Sequence, residues 1–78
     1  MRAGQDRLDH AALTSATKAL ENLIADLMAE GDEPESAVDE AWKTCVAQIP
    51  KLVAHQAELR PDLVKFAWDQ EELTATGT

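Results

Sequence analysis

The sequence predicts an all-α protein, and three observations predict it. Strand signals are nearly absent, since no run of β-branched residues alternates with polar ones. Alanine, leucine and glutamate, all good helix formers, dominate the composition. Apolar residues recur three and four apart over long stretches, the period of one helix face. The expected architecture is an antiparallel hairpin of two long helices, the second kinked at Pro50, plus a shorter third helix.

The first helix is expected over about 8–30. Asp6 or Asp9 can cap its start. Leu13, Ala16, Leu20, Leu23 and Leu27 form its stripe, and Ile24 and Met28 widen it. Gly31 suits the left-handed residue that closes a helix. The second helix restarts at "DEPES": Asp32 or Glu33 can cap it, Pro34 is harmless in a first turn, and Glu35 faces the positive end of the helix dipole. So short a connection predicts antiparallel neighbours.

Two prolines decide how the second half is divided. Every seventh residue from Val38 is apolar: Val38, Cys45, Leu52, Leu59, Phe66 and Leu73. The companion line is Trp42, Ile49, Gln56 and Leu63, apolar except for the glutamine. Pro50 and Pro61 both fall opposite that stripe. Because the stripe continues in phase across Pro50, a kink there is expected within a helix over about 34–59. The rival reading is a clean break with Pro50 opening a short new helix. "LRPDLV" reads as a helix start, so a break is expected at Pro61 and a third helix over about 61–73.

The 78 residues form one small domain, 1–78, with about 1–6 and 74–78 ("TATGT") expected as flexible tails. Its bulky apolar set is short. Fourteen residues are alanine, against nine leucines, four valines, two isoleucines, two methionines, one phenylalanine and two tryptophans. Domains this small are marginal alone and often use a disulfide, a metal or a second subunit. One cysteine excludes an internal disulfide, and no metal motif is visible. A homodimer, two hairpins forming a helical bundle, is therefore expected.

The formal net charge is −8. It argues against direct nucleic acid binding, because phosphates select Lys and Arg. It favours a protein partner with a basic surface. A lone cysteine fits a reducing compartment, and no leader-like segment is present, so a cytoplasmic location is expected. No apolar run approaches the roughly 20 residues that cross a bilayer, so no membrane association is expected.

Catalytic signals are thin. Ser15 and Ser36 have no histidine in a recognisable arrangement, the three glycines are far apart, and no Glu-x-x-His pair occurs. The expectation is no enzyme, no cofactor and no metal. Cys45 lies on the apolar line and reads as a small buried hydrophobe rather than a reactive thiol. His10 and His55 could sense pH, but they read as partly exposed histidines without a special role.

Two features suggest binding. Asp26, Glu30, Asp32, Glu33, Glu35, Asp39 and Glu40 lie within fifteen residues that hold no Lys or Arg. Helix capping explains part of this block, and a solvated end or a docking surface for basic protein explains the rest. The segment "DLVKFAWDQEEL" puts Leu63 and Phe66 on the stripe, with Val64, Ala67 and Trp68 on other faces. One amphipathic face cannot bury them all. The leading expectation is a small non-enzymatic protein-binding module, a homodimer as above, that regulates or inhibits a larger protein. Trp42, Leu63, Val64, Phe66 and Trp68 would be its apolar contacts, and Asp32, Glu33, Glu35, Asp39 and Glu40 its charged patch. The alternatives are a structural accessory subunit, or an inhibitor that imitates nucleic acid through the acidic patch.

Overall fold

The structure is a computed structural model that describes residues 8–77. It is all-helical over those residues, as expected. α1 spans His10–Ala29, α2 spans Pro34–Gln48, a 3-10 segment spans Pro50–His55, and α3 spans Gln56–Gly77. Each of the three α-helices packs on the other two.

Local signals set both ends of α1. Asp9 takes the N-cap position in extended conformation, and its carboxylate accepts from the Ala12 N–H at 2.8 Å. Such a cap contributes about 1 kcal/mol. Asp6, the other candidate, lies outside the described residues. At the far end Gly31 adopts φ 115°, the Gly31 N–H donates to Met28 O at 3.0 Å, and the Asp32 N–H donates to Leu27 O at 3.1 Å. This paired closure occupies carbonyls that would otherwise be orphaned. The next helix starts two residues later. Glu33 holds the N-cap position without a side-chain bond, Pro34 is the first helical residue, and Ala37 N–H closes the first turn on Glu33 O at 2.8 Å.

The expectation at Pro50 needs correction. α2 does not run to 59 with a kink; it stops at Gln48. Ile49 leaves the helix at φ −130°, ψ 80°, and Pro50 opens the 3-10 segment. The ring of Pro50 disfavours helical backbone at the residue before it. The change of pitch also serves burial. In a 3-10 helix, residues three apart share a face, and Leu52 and His55 are both buried. The unbroken seven-residue apolar line was therefore no proof of an unbroken helix.

Pro61 is the second correction. No break occurs there, because Pro61 lies inside α3. The N–H it lacks would have reached the carbonyl of Ala57. Both Ala57 and Pro61 are exposed, so water can take that carbonyl and the helix continues. The third helix also runs past its expected end at 73: α3 continues to Gly77, the first glycine or proline after Pro61. The expected tail at 1–6 and Thr78 lie outside the described residues.

The core lies along one line of each helix. Ala16, Leu20 and Ile24 come from α1, and Ala37, Val38, Ala41 and Trp42 from α2. Leu52 comes from the 3-10 segment, and Leu59, Leu63 and Ala67 from α3. In α1 the centre of the stripe is Leu20 and Ile24, while Leu13, Leu23, Leu27 and Met28 are half-buried flanks. Burying a leucine or isoleucine fully contributes roughly 1.5–3 kcal/mol. Four of the eleven core residues, Ala16, Ala37, Ala41 and Ala67, are alanines, whose small side chains permit close helix packing.

Candidate functional site

The five apolar residues expected at a partner surface divide between interior and surface. Trp42 is 5% exposed and Leu63 is 1% exposed, both within the core. They offer a partner almost no area. Val64 and Phe66 are half-buried against the core. Trp68 is 49% exposed. The helical geometry accounts for this order. Leu59, Leu63 and Ala67 are four apart and define the inward line of α3. Trp68, five residues past Leu63, sits about 140° round the helix from it, with Val64 one turn before it on the same flank.

Two further exposed apolar residues belong to this inventory. Leu73 is 68% exposed although the seven-residue line placed it inward, and Val53 of the 3-10 segment is also exposed. Leu73 escapes the core because it lies ten residues beyond Leu63. A straight helix drifts by about 20° per heptad against a strict repeat. The signal for Val53 was its place between Leu52 and His55, which a 3-10 turn sends inward.

The acidic candidates are mostly solvated. Glu33, Glu35 and Glu40 are exposed, and Asp32 and Asp39 are half-buried. Asp39 is engaged: Lys43 Nζ lies 3.0 Å from one carboxylate oxygen, and Arg60 of α3 lies 3.7 Å from the other. The Lys43 hydrogen bond, against a smaller opposing desolvation and with help from both cations' charge, holds the Asp39 carboxyl below its usual value of 3.8. The patch is thus three exposed carboxylates, half-buried Asp32, and Asp39, which bridges α2 to α3.

The chain direction adds to that patch. One groove, of about 350 Å³, is lined by His10, Leu13, Thr17 and Glu21 of α1 and by Leu59 and Asp62 of α3. Another, of about 310 Å³, is lined by Ala25, Met28 and Ala29 of α1 and by Gln70 and Glu71 of α3. The start of α1 therefore lies beside the early part of α3, and the end of α1 beside its later part. The two helices run in the same sense. Glu71 of α3 is brought to the end of the molecule that carries Glu30, Asp32 and Glu33. The sequence hid this, because α3's carboxylates are some forty residues from that turn in the chain.

Cys45 is half-buried, and burial raises its thiol above the ordinary value of 9.0. Little thiolate is present at neutral pH, so the group is a poor nucleophile. Among the described residues no three His, Cys, Asp or Glu side chains are grouped to hold a metal ion. No described helix is long and apolar enough to cross a membrane.

His55 departs most from its expectation. It is 2% exposed, not partly exposed. The Leu8 N–H donates to its Nε2 at 3.1 Å, and its Nδ1 lies 3.1 Å from Glu58 Oε1. The available signal was the i, i+3 spacing of Leu52 and His55 directly after a proline. His10 is exposed at the groove mouth.

No family model, curated protein or solved structure matches the chain. The functional reading rests on these residues alone.

Proposed function

We propose that this chain is a small protein-binding module that acts without catalysis and regulates or inhibits a larger protein. The observation that carries the reading is Trp68, a tryptophan half exposed on the outer flank of α3 beside half-buried Val64. Tryptophan is among the residues enriched at the hot spots of protein interfaces. Exposed Asp69, Glu71 and Glu72 follow Trp68 directly. The partner surface that fits is an apolar pocket with a basic rim. Charge of this sort speeds encounter and fixes orientation more than it adds affinity.

The roles within the expected set change with burial. Trp42 and Leu63 support α3 from inside. Trp68 and Val64 make contact, and Phe66 supplies its half-exposed edge. Glu33, Glu35 and Glu40 orient the approach, with Asp32 beside them. A second copy of the chain is the competing occupant of the same flank, and a homodimer of hairpins would be built through it. Enclosure of Trp42 and Leu63 by a single chain weakens the need for that second copy.

The test uses wild type and Trp68→Ala as bait in a lysate of the native host. The expected result is a partner that wild type retains, that the variant loses, and whose association slows as salt rises. Circular dichroism should be unchanged in the variant. A partner held equally by both baits, or a variant that unfolds, overturns the assignment of Trp68 as contact. Light scattering separates the occupants: a species of twice 8.5 kDa that Trp68→Ala returns to one copy assigns the flank to dimerisation.

A further inference from the structure

We propose that His55 is a pH-responsive latch that holds the segment entering α1 against the 3-10 segment and the start of α3. The geometry fixes which nitrogen carries the proton. A backbone N–H can only donate, so Nε2, which receives the Leu8 N–H at 3.1 Å, presents a lone pair. The ring hydrogen of neutral His55 is then on Nδ1 and points to Glu58 Oε1 at 3.1 Å. This is a neutral imidazole in one defined tautomer, enclosed to 2% exposure.

Of these two contacts, protonation breaks only the one to Leu8. A proton on Nε2 places two N–H donors face to face, and the Leu8 bond cannot survive. The Nδ1 side keeps its hydrogen and gains an ion pair with Glu58. The imidazolium is therefore held by α3 while Leu8 is released. The contact spans 47 positions in sequence, so its loss uncouples the entry to α1 from the middle of the chain. Asp9 and His10 follow Leu8 in the chain, and His10 shares a groove with Asp62 of α3. Asp9 is occupied by the Ala12 N–H, and Glu58 faces Nδ1 rather than Nε2. Histidine is the side chain that ordinarily changes charge between about pH 5 and 8.

Nitrogen NMR and amide exchange on the whole chain test the latch. At about pH 8 the His55 imidazole should show a protonated Nδ1 and a bare Nε2; the opposite tautomer overturns the proposal. As pH falls to about 5, Leu8 amide protection, corrected for intrinsic exchange, should drop at least about tenfold in step with His55 protonation. Protection at Leu20 should hold. Leu8 protection that ignores His55 protonation overturns the latch. In His55→Gln the side-chain amide oxygen can accept from Leu8 without titrating, so protection at Leu8 should become independent of pH. Should that variant fail to fold, His10→Gln, altered at an exposed site, decides: the wild-type response must persist, and its loss would assign the effect to His10.

Discussion

Pro50 and Pro61 are both exposed and both follow apolar-patterned helix, yet the first ends a helix and the second rides inside one. The ring chemistry is the same, so the surroundings decide. At Pro50 the missing N–H would have reached Val46, which is half-buried against the core. Ile49 leaves helical backbone, and the following turn tightens to bury Leu52 and His55. At Pro61 the missing N–H would have reached exposed Ala57, whose carbonyl has water at hand. Arg60, directly before it, reaches across to Asp39 of α2. A proline breaks a helix where the chain gains burial by breaking, and is absorbed where it gains nothing.

The largest expected effect probes that gain. Leu52→Ala should destabilise the fold by about 2–5 kcal/mol in urea unfolding, as for other fully buried leucines. A loss below about 1 kcal/mol would mean that Leu52 does not anchor the turn after Pro50. Next come the prolines themselves, with opposite signs. Pro61→Ala restores an N–H inside α3 and should stabilise by about 1–2 kcal/mol. Pro50→Ala should cost about 0.4–1 kcal/mol, because the ring already suits the start of a turn and restricts the unfolded chain. Equal signs in the two variants would erase the distinction between the sites.

The smallest effect concerns the ion pair that flanks Pro61. The folded-state carboxyl of Asp39 titrates below its ordinary 3.8. A lowered value contributes stability above the unfolded-state value, and that contribution disappears as pH falls through the folded one. Asp39→Asn should therefore lower Tm slightly near neutral pH, and the difference should vanish well below pH 3.8. A difference that persists in acid would show that Asp39 acts through packing instead. Exposed pairs of this kind contribute little, so the check needs matched thermal scans.

What the sequence made legible is what is decided locally. Asp9 as cap, Gly31 as closing residue and Pro34 as first helical residue each depend on neighbours within four positions, and the structure has all three. The prolines were not legible. Their outcome depends on which carbonyls face water, and that is settled by helices elsewhere in the chain. The apolar line from Val38 to Leu73 misled for a related reason: a change of pitch can preserve spacing while ending the helix. Among the candidate contacts, Trp42 stood on the inward companion line and could have been assigned to the core. Trp68 stood off it, and its exposure follows from the helical angle. The i, i+3 spacing of Leu52 and His55 after Pro50 was a local sign of His55's burial, but its Leu8 partner, far away in sequence, had none.

The shared direction of α1 and α3 has an electrical consequence. In a simple up-and-down pair the peptide dipoles of neighbouring helices cancel, but here two of three add. The negative end of α1 emerges at Glu30, and that of α3 lies beyond Glu71 at Gly77. The molecule is thus polarised along its long axis, and a field or a charged surface would turn it end-on before any side chain made contact.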